Sequence, residues 1–132
     1  MAVVLDTHAA IWYLSRSEQL SAAALKKIEA SVQAGESVFL SAISLVELIY
    51  LSEKGRLPAG ALATLVNALQ AADASMVVVP LDSAVAGAVG RISRSAVPDM
   101  PDRIIAATAA HLGLPLITRD RQIQAAGINT VW

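Results

Sequence analysis

The sequence contains no cysteine, which excludes disulfides and thiolate metal sites and fits a reducing cytoplasm. It also lacks a surplus of either charge. Ten Lys and Arg stand against eleven Asp and Glu, giving a formal net charge of −1 at pH 7 and an isoelectric point near 6.1. No global basic field announces a nucleic-acid partner, which weakens such a reading without excluding it. Long apolar runs are missing too. A helical membrane span needs about 20 predominantly apolar residues, and the charge-free stretch from Leu57 to Ala72 is broken by Pro58, Gly60, Asn67 and Gln70. No membrane association is expected. The first residues carry no basic segment and place Asp6 where a signal peptide would be apolar, so export is not expected and the predicted location is cytoplasmic.

What the sequence has in excess is apolar character: 55% hydrophobic residues against 16% charged, with a mean hydropathy of +0.57. That excess points to surface facing another protein chain. A length of 132 residues suffices for a substantial core, and residues 1–132 read as one domain.

Short β-branched runs alternate with longer helical patterns. "AVVLD" (2–6), "SVFLS" (37–41), "MVVVPL" (76–81), "LPLIT" (114–118) and "INTVW" (128–132) predict strands, nearly continuously apolar as strands buried on both faces are. Helical segments are predicted over roughly 8–15, 21–34, 43–54, 59–72, 82–92 and 102–112. Ser21 caps the second of them and Gly35 closes it, while "EKGRLPAG" (53–60) makes a turn between two helices. The predicted fold class is α/β, a central parallel sheet of about five strands flanked by helices.

In open parallel sheets ligands bind beyond the carboxyl ends of the strands, and the acidic residues gather there. Asp6 ends the first strand, Glu47 lies in the helix after the second, Asp102 opens the helix before the fourth, and Asp120 follows the fourth in "LITRDRQ". Asp99, three residues before Asp102, can lie on the same side of a tight turn. Each has a structural alternative: Asp6, Asp102 and Asp120 suit helix N-caps, and Ser44-x-x-Glu47 matches a capping box. Converging carboxylates repel unless a cation sits among them, and a hard divalent ion prefers such oxygen ligands. Arg103, Arg119 and Arg121 flank two of the acids and are candidates for phosphate contacts, with a solvated charged face as the alternative.

With Asp6, Glu47, Asp102 and Asp120 in this order, the chain resembles the PIN-domain family, particularly toxin ribonucleases of VapC type. "LDTHAAIWYL", "SAISLVEL", "PDMPDRIIAATA" and "LITRD" match its four acidic motifs, and the resemblance runs essentially end to end. One departure is local: Pro98 and Asp99 stand where many relatives carry His two positions before the proline of the third motif. The resemblance implies a Mg²⁺ or Mn²⁺ site that cleaves RNA phosphodiesters, built from Asp6, Glu47, Asp102 and Asp120 with Asp99 as an additional acid. It implies Thr118 as a hydroxyl near the site, with Thr7 beside it, a cognate antitoxin as partner, and a homodimer. A supporting role for Thr118, orienting a metal-bound water, is one expectation; His8 and His111 read as structural. The helical hairpin over 43–72 is a candidate groove for a partner helix.

Two other classes share this architecture. A phosphoacceptor receiver domain would use Asp82 after the third strand, but it wants adjacent acids after the first strand and a lysine after the last, and no lysine occurs beyond Lys54. A haloacid-dehalogenase-type phosphatase needs a second Asp two residues after Asp6, where His8 stands.

Overall fold

Five of the short apolar runs become strands in the computed structural model, which describes residues 2–72 and 74–132. They are β1 (Val3–Leu5), β2 (Val38–Ser41), β3 (Met76–Val79), β4 (Leu116–Ile117) and β5 (Thr130–Val131). Each is shorter than its apolar run, and β4 is reduced to the two residues after Pro115. All pairings are parallel and the order is β3-β2-β1-β4-β5. Val4 stands opposite both Phe39 of β2 and Leu116 of β4, so β1 lies at the centre of the sheet.

The connecting helices are α1 (Thr7–Leu14), α2 (Ala22–Gln33), α3 (Ala42–Glu53), α4 (Ala61–Gln70), α5 (Ser83–Ala88), α6 (Met100–Leu112) and α7 (Arg121–Ala125). Side chains cap most of their starts: Ser21 accepts from Ala24 N at 3.0 Å, and Asp82 from Val85 N at 3.0 Å. Gly113 ends α6 in the left-handed conformation, φ 67°, where a Cβ would be strained. The single helix expected over 82–92 is divided into α5 and a 3-10 turn, Val89–Arg91, since Gly87 and Gly90 weaken helical continuity. The short α7 lies outside the helical segments predicted above but is the helix that an N-cap at Asp120 implies.

The alternation of side chains across the strands divides the interior in two. Val3, Leu5, Val38, Leu40 and Ile117 face a core closed by Ala9, Trp12, Ile28, Leu48 and Leu65 from α1 to α4. Val4 and Leu116 face the other core, closed by Ala88, Ile105, Ala106, Ala109 and Ile123 from α5 to α7. Helices thus cover both faces, as an all-parallel sheet requires.

This topology places the site. The chain runs outward from β1 through β2 to β3, then returns to add β4 and β5 on the other side of β1. Strand order therefore reverses between β1 and β4, and the crevice beyond their carboxyl ends is where such sheets bind ligands. The same order removes the receiver reading, because that fold runs 2-1-3-4-5; Asp82 is the N-cap of α5. Among the described residues, no helix is long and apolar enough to cross a membrane.

Candidate active site

Asp6 leaves the central strand and immediately caps α1, its Oδ1 accepting from Ala9 N at 2.7 Å. Its backbone N–H donates to Ile117 O of β4 at 3.1 Å, so the residue is fixed to the switch point by main chain and side chain together. Thr118, fully buried one residue beyond β4, donates its hydroxyl to the Asp6 carboxyl. The same hydroxyl oxygen accepts from Asp120 N at 3.0 Å. Burial pushes the Asp6 carboxyl above the usual carboxylate range, against the lowering effect of these hydrogen bonds and of His8.

Glu47 does not close a capping box. The N-cap of α3 is Ser41, whose Oγ accepts from Ile43 N at 3.3 Å, and Glu47 lies further into that helix. Its partner is Thr7, which donates to Glu47 Oε1 at 2.6 Å. Thr7 Oγ1 also lies 2.9 Å from the buried Ser44 Oγ. A hydroxyl has one proton, so the carboxylate takes it and Ser44 supplies the second bond.

The N-cap of α6 is Asp99 rather than Asp102: Asp99 Oδ2 accepts from Asp102 N at 3.3 Å, and Pro101 occupies the first turn where its missing N–H does no harm. Asp102 lies in that first turn and so faces the crevice beside its neighbour. Asp120 caps α7, accepting from Gln122 N at 2.8 Å and Ile123 N at 3.1 Å.

Asp6, Thr7, Glu47, Asp99, Asp102, Arg119 and Asp120 line one cavity of about 410 Å³, together with His8 and Trp12. Its electrostatics are most visible at half-buried Asp102, whose pKa is raised to about 7 by burial first and then by the charges of Asp99, Asp120, Glu47 and Asp6. The donors are all hard oxygens, the set a hard divalent cation takes. Among the described residues, no three acidic or histidine side chains already form a ready metal shell.

The three arginines separate. Arg119 lines the cavity, with its guanidinium carbon 4.4 Å from the centroid of the Trp12 ring. Arg103 lies outside it and donates from Nε to Ile92 O at 2.8 Å. Arg121, exposed at the start of α7, is likewise absent from the lining. Sequence reasoning missed Trp12 and set His8 aside. The available signal was their i, i+4 spacing on α1, which puts both rings on one face of the helix that Asp6 caps.

The residues from 3 to 129 match the family model described as the PIN domain. Ribonuclease VapC22 of Mycobacterium tuberculosis (strain ATCC 25618 / H37Rv) is 31% identical over 123 residues, 93% of this chain and 90% of that protein. Among solved structures, VapBC2 from Rickettsia felis bound to a promoter DNA fragment aligns with a TM-score of 0.73 at 15% identity, over 98% of this chain and 97% of that one. A toxin–antitoxin complex from Klebsiella pneumoniae gives 0.69 at 21%, over 98% and 96%. FitAcB from Neisseria gonorrhoeae gives 0.60 at 27%, over 97% and 95%. At these identities the first two share the fold, while the family match and the curated relative extend over nearly the whole sequence. The parallel sheet with acids at its switch point is thus the fold of a known group, and the chain belongs to the PIN domain family.

Proposed function

We propose that this chain is a metal-dependent endoribonuclease, the toxin of a toxin–antitoxin pair, which hydrolyses RNA phosphodiester bonds in the acidic cavity. The observation that carries the reading is the meeting of Asp6, Glu47, Asp99, Asp102 and Asp120, drawn from well-separated parts of the chain, around one cavity. Such an array repels itself, as the raised pKa of Asp102 expresses, and a cation relieves it. Mg²⁺ and Mn²⁺ suit these oxygen donors. When bound, such an ion polarises a phosphoryl oxygen and lowers the pKa of a coordinated water.

The protein's own groups hold the donors in place. Thr118 and the Ala9 N–H orient Asp6, Thr7 orients Glu47, and the first turn of α7 fixes Asp120. Asp102 holds a proton near neutrality when no metal is present, so metal binding releases a proton at that carboxyl. RNA as the substrate is supported by the relative named a ribonuclease, and an antitoxin as the partner by the toxin–antitoxin complex that shares this fold. A single strand, whose backbone can be drawn into a small crevice, fits better than a stacked duplex. A homodimer and cytoplasmic work on RNA complete the reading; Val46, Ile49 and Tyr50, exposed together on α3, supply apolar surface for a second chain.

The test is cleavage of single-stranded RNA by purified protein in EDTA, Mg²⁺ or Mn²⁺, comparing wild type with Asp6→Asn and Asp102→Asn. Cleavage that needs metal and is lost in both folded variants is expected. Undiminished cleavage by the variants would overturn the assignment of the site.

A further inference from the structure

We infer that Arg119 is the phosphate-binding cation of the acidic cavity and that Trp12 is its positioning residue, a role that rests on the nuclease reading and deepens it. A phosphodiester entering five carboxylates needs a positive partner besides any metal, and Arg119 is the arginine that lines the cavity. Arg103, by contrast, has its Nε committed to Ile92 O at 2.8 Å.

The guanidinium is held over the Trp12 ring at 4.4 Å, well inside the range of a cation–π contact. Among the described residues, no hydrogen bond or ion pair occupies it. A guanidinium whose charge rests against an aromatic ring leaves its N–H donors for other partners, and arginine grips a phosphate through two of them.

Trp12 is itself fixed. It is only 8% exposed, its ring centroid lies 5.4 Å from that of His8, and Trp132 meets it in an edge arrangement at 5.7 Å. A ring so enclosed cannot stack a nucleobase, so its influence on RNA passes through what it supports. The cation it supports stands between Thr118, which holds Asp6, and Asp120.

The experiment measures RNA binding apart from cleavage. A fluorescent single-stranded RNA is titrated at fixed Mg²⁺ and varied KCl with Asp102→Asn protein, then with the same protein also carrying Arg119→Ala, Arg119→Lys, Trp12→Leu, Trp12→Phe or Trp12→Leu with Arg119→Ala. Circular dichroism checks each fold; Arg119 is exposed, so its variants remain informative where Trp12→Leu is damaged. Arg119→Ala is expected to weaken binding about tenfold and to reduce the salt slope by about 0.7, the value for one phosphate contact on a single strand. Trp12→Leu should reproduce part of that loss, Trp12→Phe should restore most of it, and the double substitution should bind no worse than Arg119→Ala. In the active chain, Arg119→Ala and Trp12→Leu should raise KM more than they lower kcat. An unchanged salt slope in Arg119→Ala, or additive losses in the double variant, would overturn the assignment while leaving the nuclease intact. Wild-type protein that neither binds nor cleaves RNA would overturn both.

Discussion

Asp102 links the charge of the cavity to the stability of the protein. Its folded pKa of about 7 lies above the value near 3.9 of an unfolded aspartate, so the folded state binds this proton more tightly. The group therefore contributes stability below the unfolded value, and that contribution is lost as pH rises through about 7. Asp6, also raised by burial, acts with the same sign. Metal-free protein is expected to melt at a lower temperature at pH 8 than at pH 6, Asp102→Asn to flatten the difference, and Mg²⁺ or Mn²⁺ at pH 8 to recover it. Thermal melts in EDTA decide the matter, and a metal-free Tm that does not fall between pH 6 and 8 contradicts it. Thr118 offers a separate test, since its one hydroxyl serves both Asp6 and the Asp120 backbone. Thr118→Val keeps the shape and removes both bonds, so metal affinity should fall roughly 10–100-fold, the range for groups that orient ligands. Calorimetric titration with Mn²⁺ reads this directly, and unchanged affinity would free Asp6 from any dependence on that hydroxyl.

The helices show why capping and chemistry were hard to separate. Asp6, Asp99 and Asp120 cap α1, α6 and α7 while lining one cavity, so a cap does not exclude a place in the site, whereas Asp102, weighed as a cap from the sequence, is not one. For Asp6 and Asp120 the helix starts so soon after the strand's carboxyl end that the capping carboxylate also lines the cavity. Glu47 was legible as an acid at the right distance from β2 but not in its partner, since Thr7 lies 40 residues away in sequence. Asp99 separates the two tasks experimentally. Asn caps as well as Asp, whereas Ala loses about 1 kcal/mol, and both remove the charge that ranks next after burial in raising Asp102. NMR titration should find the Asp102 pKa lowered in both Asp99→Asn and Asp99→Ala, with Tm reduced by a few degrees only in the alanine variant. A lowered Tm in both would mean that the charge, and not the cap, supports α6.

At the scale of the whole molecule, the strand runs and their alternation with helices were readable because burial on both faces leaves nearly continuous apolar segments. The order β3-β2-β1-β4-β5 was not, because parallel pairing depends on which crossover packs on which face, and local propensity does not encode that. Trp12 illustrates the same limit within the site: its residue type is plain, yet its contacts with Arg119 and the distant Trp132 exist only after β4 and β5 join β1. The two cores meet across the sheet, and its central strand β1 serves both, Val3 and Leu5 facing α1 to α4 while Val4 faces α5 to α7. A strand that serves both faces cannot be released from one core without disturbing the other. Leu65→Ala and Ile105→Ala, each deleting a nearly fully buried side chain on opposite faces, should each cost about 2–5 kcal/mol. They should be nearly additive in combination if the sites share no partners. If the chain is one cooperative domain, tryptophan fluorescence, which reports the face holding Trp12, and far-UV circular dichroism will give a single coincident urea transition in each variant. An Ile105→Ala protein whose fluorescence midpoint stays at the wild-type value while its circular dichroism midpoint falls would instead show that the two faces unfold separately.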